Sequence, residues 1–90
     1  MKTILLDVLD KAILDIAYTR IEESKSKRVS GRGVWEVLST TGIAPVYNGA
    51  RLTRLVSLGL LEKDRANSSN RFKIYCPTEA GYKIWRELTL

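Results

Sequence analysis

Apolar residues recur along this chain with a helical period, interrupted twice by short stretches in which they alternate with polar ones. Leu5, Leu9, Ala12, Ile13 and Ile16 lie on one stripe and predict a first helix over residues 3–23, supported locally by Asp7 and Lys11 four residues apart. Leu14, Tyr18 and Ile21 recur at the same spacing on the other side of that helix. They form a second packing surface that a lone chain would leave in water, so the pattern predicts a subunit contact there. Val29-Ser30 reads as a very short strand ending in an N-cap serine. Val34, Val37 and Leu38, with Trp35 at their edge, line the inner face of a second helix that ends near Thr40. Thr41-Gly42-Ile43 then turns the chain into a third helix over 45–58. Leu52, Leu55, Val56 and Gly59 face its core side; Tyr47, Ala50, Arg54 and Ser57 face away, with Arg51 on the flank. Pro45 suits the first turn, Asn48 is an alternative N-cap, and Gly59 suits a left-handed C-terminal cap.

Beyond Gly59 the period changes to two. Residues 60–65 and 71–76 read as strands around a turn-rich tip at 66–70, with Phe72, Ile74 and Cys76 turned inward and Arg71, Lys73 and Tyr75 outward. Pro77 stops the second strand, Thr78 can cap, and Gly81, Ile84, Trp85 and Leu88 form the inner face of a last helix. The elements sum to an α+β fold: a three-helix core, a two-stranded hairpin over 60–76 and a C-terminal helix, in one domain spanning 1–90. A domain of this size buries somewhat over ~60% of the surface of its unfolded chain, so it gains from close packing or from pairing with a second copy. Homodimerisation through Leu14, Tyr18, Ile21 and Tyr82 of the last helix is therefore expected.

Composition narrows the chemistry. With no histidine and one cysteine, Cys76, there is neither an internal disulfide nor a plausible structural zinc site, and no acid–base or nucleophilic constellation for an enzyme. No metal and no cofactor are expected. The start, MKTILLDVLD, carries Asp7 and Asp10 where a signal peptide would be apolar, and no apolar run approaches the ~18 residues of a membrane span, so a cytoplasmic protein is expected. The formal charge of +5 is unevenly placed. Residues 1–24 carry a balance of −2 and residues 78–90 of 0, whereas residues 25–77 set ten Lys and Arg against Glu36, Glu62 and Asp64, a balance of +7. A basic centre between neutral or acidic flanks suits a polyanion. Ser30-Gly31-Arg32-Gly33 adds a helix start at which a phosphate could meet free backbone N–H groups, although no nucleotide-binding glycine motif accompanies it.

The order of elements, with Leu52, Leu55, Gly59, Leu60, Leu61, then Arg71 and Tyr75, then Thr78, Glu79 and Gly81, resembles the "L..L...GLL … R…Y.LT..G" pattern of winged helix-turn-helix proteins. It is similar to MarR-like and PadR-like regulators and to small winged-helix proteins of archaea and their viruses. Pro77 stands where those families usually have leucine. The resemblance implies sequence-specific binding of double-stranded DNA by a dimeric transcriptional regulator, with the 45–58 helix in the major groove and the hairpin as a wing. On that reading Tyr47, Asn48, Arg51 and Arg54 face the groove, Arg65, Arg71 and Lys73 lie on the wing, and Lys25, Lys27, Arg28 and Arg32 meet backbone phosphates. The competing reading is a winged-helix module for protein assembly, since fold alone does not set function.

Overall fold

Asp7 sets where the chain becomes helical. In the computed structural model, which describes residues 6–40, 49–69 and 72–89, its carboxylate accepts the Asp10 N–H at 2.8 Å. Its own N–H points back at the Asp10 carboxylate at 3.4 Å. This reciprocal cap starts helix α1 at Val8, so α1 runs Val8–Glu23 and begins later than the apolar period suggests. The buried face of α1 is Asp10, Ile13, Leu14, Ala17, Tyr18 and Ile21, a regular i, i+3, i+4, i+7 progression. The expected face is shifted: of its stripe Ile13 is buried but Leu9, Ala12 and Ile16 are only half-buried, while Leu14, Tyr18 and Ile21 are each 0% exposed within a single chain. These three residues are core, and the subunit contact expected of them has no surface to use. An acid at position 10 and an alanine at position 17 disguise the stripe in the sequence, because neither adds hydrophobicity to the face it occupies.

Strand β1 (Val29–Ser30) leads directly into helix α2 (Gly31–Thr40). The Ser30 hydroxyl accepts the Gly33 N–H at 2.9 Å, the N-cap its position implies. Val34 and Leu38 bury the inner face of α2, and Trp35 remains largely exposed. Helix α3 (Gly49–Ser57) buries Leu52 and Leu55. Its end is closed by the paired bonds Leu60 N–H to Leu55 C=O, 2.9 Å, and Gly59 N–H to Val56 C=O, 3.0 Å. That closure places Gly59 at φ +78°, a backbone state that glycine enters without a Cβ penalty. The expected turn at 41–43 and the first residues of the 45–58 helix lie outside the described residues.

Strands β2 (Leu61–Lys63) and β3 (Ile74–Pro77) form the hairpin, and β1 adds to it, giving an antiparallel sheet of order β1-β3-β2. Helix α4 (Glu79–Thr89) closes the fold. The third strand decides which way the hairpin faces. Val29 pairs with Tyr75 and Lys63 with Tyr75, so Val29, Tyr75 and Leu61 share one side of the sheet, and all three are buried. The expected inward set is therefore reversed: Tyr75 points to the core, Ile74 and Cys76 are half-buried, and Phe72 is 51% exposed. A two-stranded hairpin read alone cannot show this, because the partner that completes the buried face lies some forty residues earlier.

Tyr18 ties the layers together. Its hydroxyl donates to the Leu60 carbonyl just after α3 and accepts the Thr78 N–H at 3.1 Å just before α4. Thr78 in turn caps α4 through the Gly81 N–H at 2.9 Å and reaches the Gly59 carbonyl at 2.6 Å. The Tyr18 ring meets Tyr82 edge-on at 5.0 Å and stacks on Trp85 at 5.8 Å, and the Trp85 indole N–H donates to Asp15 at 2.8 Å. Burial against this cluster, with Glu22 adding to it, pushes the Tyr82 phenol up to about 12. Tyr18→Phe keeps the ring and removes only the hydroxyl, leaving the buried Leu60 carbonyl without its donor. We expect it to cost about 1–3 kcal/mol, read as a lower urea midpoint at unchanged slope.

Candidate nucleic-acid interface

The cations of the basic centre fall into two groups, distinguished by whether a carboxylate answers them. In the larger group each is paired within the chain. Arg51 Nη1 lies 2.6 Å from Asp7 Oδ2 and 3.1 Å from Asp10 Oδ1, and Arg54 Nε lies 3.3 Å from Asp10 Oδ2. Arg28 Nε sits 2.6 Å from Asp64, Arg32 Nε 3.3 Å from Glu36 one turn along α2, and Lys27 Nζ 3.9 Å from Glu22. Lys27 also occupies a left-handed backbone position, φ 56°, and donates to the Glu22 carbonyl at 3.2 Å, so it closes the end of α1. The bonds shift the acids in the expected sense. The Arg51 hydrogen bond, helped by the Asp10 N–H, holds Asp7 below the ordinary carboxylate range. Asp64 is lowered chiefly by the Asn67 amide, with Arg28 contributing.

The Asp7–Asp10–Arg51–Arg54 group changes what α3 offers. Asp10 is 1% exposed, and both of its oxygens are engaged by arginines reaching down from α3. Arg51 and Arg54 thus help dock α3 on the start of α1, beside an open groove of about 550 Å³ lined by Leu6, Asp7, Ala50, Arg51 and Arg54. Arg51 and Arg54, expected on the groove side, are thus also engaged by acids of α1. A buried anion on α1 claims them first, because a carboxylate out of water must be paired. Asp7 is the helix cap and Asp10 is interior.

The second group is on the hairpin. Lys63, Arg65 and Lys73 are exposed and have no carboxylate partner among the described residues, and the same holds for Lys25 in the α1–β1 connection. Lys63 was not singled out from the sequence, though its place opposite Tyr75 on β2 puts it in the same hairpin. Of the expected contacts, Tyr47, Asn48 and Arg71 lie outside the described residues. The hairpin tip is itself well tied. The Ser69 N–H donates to the Phe72 carbonyl at 2.7 Å, while the Phe72 N–H donates to the Ser69 hydroxyl at 3.1 Å. Ser68 bridges both backbone groups of Ile74, and the Asn67 side-chain amide donates to Asp64 at 2.7 Å.

Compared with models of protein families, with characterised proteins and with solved structures, the chain matches none of them. Among the described residues no helix is long and apolar enough to cross a membrane.

Proposed function

We propose that this chain is a winged-helix protein that binds double-stranded DNA, with the β2–β3 hairpin as its main electrostatic contact. The order α1-β1-α2-α3-β2-β3-α4 supports the class, since it sets two successive helices before an antiparallel hairpin and closes with a helix. The observation that carries the function is the uneven pairing of charge. Lys63, Arg65 and Lys73 stand exposed on the hairpin without an acid partner among the described residues, whereas Lys27, Arg28, Arg32, Arg51 and Arg54 are each answered within the chain. Cations left uncompensated are the ones that displace counterions from phosphates. Arg71, Tyr47 and Asn48, which lie outside the described residues, keep the roles expected of them from the sequence, and the half-exposed Arg54 remains the groove-side candidate on α3. Pairing of two copies through α1 does not enter the proposal, because Leu14, Tyr18 and Ile21 are interior.

The test is a salt series of duplex titrations followed by anisotropy. Replacing Lys63, Arg65 and Lys73 together by alanine should lower the slope of log K against log salt by roughly 1 per cation, about 3 in all, and weaken every duplex alike. An unchanged slope removes the hairpin from the interface. The protein-assembly reading is favoured by one observation, the commitment of Arg51 to Asp7 and Asp10. It is preferred if the wild-type chain shows no salt-sensitive duplex binding at all.

A further inference from the structure

Among the exposed apolar side chains of the described residues, Phe72 is the one on the cationic hairpin. At 51% exposure it stands on a hairpin with three unanswered cations, and its backbone is held at both N–H and C=O by Ser69. A side chain left over from packing would not need so fixed a platform. Its described neighbours at the tip, Asn67, Ser68 and Ser69, are polar. A single exposed aromatic ring beside exposed cations suits the face of a nucleobase with its flanking phosphates.

We propose that Phe72 is a stacking contact for an unpaired or easily unstacked base, with Lys63, Arg65 and Lys73 holding the flanking phosphates. The inference rests on the DNA-binding reading and deepens it, naming as the preferred ligand a nucleic acid with a base accessible beside a duplex. Stacking an aromatic ring on a base releases no counterions, whereas lysine and arginine contacts do, so the two contributions separate cleanly by salt. In an intact duplex the ring must first open a base step, at a cost of a few kcal/mol; an extrahelical base removes that cost.

The experiment compares one duplex with the same duplex carrying a single unpaired base, at several salt concentrations. The wild-type chain should prefer the bulged duplex by at least about fivefold. Phe72→Ala should bind both equally, with the wild-type salt slope, and Phe72→Trp should restore the preference. Lys73→Ala should do the opposite, lowering the slope while keeping the preference. A wild-type chain that does not distinguish the two duplexes, or a preference that survives Phe72→Ala, overturns this inference while leaving the DNA-binding reading intact. No binding to either duplex overturns both. Binding to anionic vesicles that is lost in Phe72→Ala, without any preference among duplexes, would assign the ring to a membrane surface instead.

Discussion

Gly81→Ala is expected to lower the thermal midpoint by roughly 15–25 °C, corresponding to about 3–4 kcal/mol in a domain of this size. A Cβ on Gly81 would stand 1.7 Å from the Tyr18 hydroxyl and 2.1 Å from the Leu60 carbonyl oxygen. Neither neighbour can yield cheaply. The Tyr18 ring is wholly buried between α1 and α4, and the Leu60 carbonyl belongs to the backbone that follows the α3 cap. Making room means moving α4 away from α1, which breaks the Tyr18 bonds to Leu60 and Thr78 and opens the Tyr18–Trp85 stack. Overpacking costs typically about 1–3 kcal/mol and each stranded buried polar group about the same again. Gly31→Ala is the control, because its Cβ would meet Leu52 at 3.4 Å and Tyr75 at 3.8 Å, both ordinary contacts, and should change stability by less than about 1 kcal/mol. Thermal melts followed by circular dichroism decide the matter. If Gly81→Ala melts within a few degrees of the wild type, the approach of α4 to Tyr18 is not as close as described.

The same contact explains which parts of the fold are legible in the sequence. Gly59 and Thr78 are readable because each answers a local backbone demand, a left-handed cap and an N-cap, and only a few residue types can meet such demands. The elements follow from period alone, and the short strand at Val29-Ser30 follows from its capping serine. What escapes is what depends on the distant partner. Tyr75 turns inward because Val29 pairs beside it, and Tyr18 is interior because Tyr82 and Trp85 of α4 return to cover it. The basic centre is legible as a count of charges, but its division into paired and unpaired cations is not. That division needs Asp7 and Asp10 brought to α3 from more than forty residues away, and Asp64 brought to Arg28 across the sheet.

Removing both arginines that hold Asp10 should destabilise the fold more than the sum of removing either alone. In the wild type, Asp10 Oδ1 faces Arg51 at 3.1 Å and Oδ2 faces Arg54 at 3.3 Å, so a single Arg→Ala change leaves the buried carboxylate one cationic partner. Taking both strands it. A stranded buried charge costs about 3–5 kcal/mol; the Asp10 position in the first turn of α1, where the helix N-terminus favours an anion, and water entering the open groove keep the loss nearer about 2–3 kcal/mol. Adding Asp10→Asn to the double variant removes the charge and should recover part of the loss, which mere loss of arginine packing would not allow. Acid provides an independent reading. Arg51 holds Asp7 below its ordinary range in the folded state, so the stability it contributes is present above the unfolded carboxylate value of 3.8 and is lost as pH falls through the lower folded one. Arg51→Ala should therefore flatten the fall in denaturant midpoint on the acid side of 3.8 while already being less stable near neutral pH. Equal, additive losses for the two arginines, with no recovery on Asp10→Asn, would show that they are surface cations after all. They would then be as available to phosphate as Lys63 and Lys73, and the base-reading role expected of Arg51 and Arg54 would return to the front of the proposal.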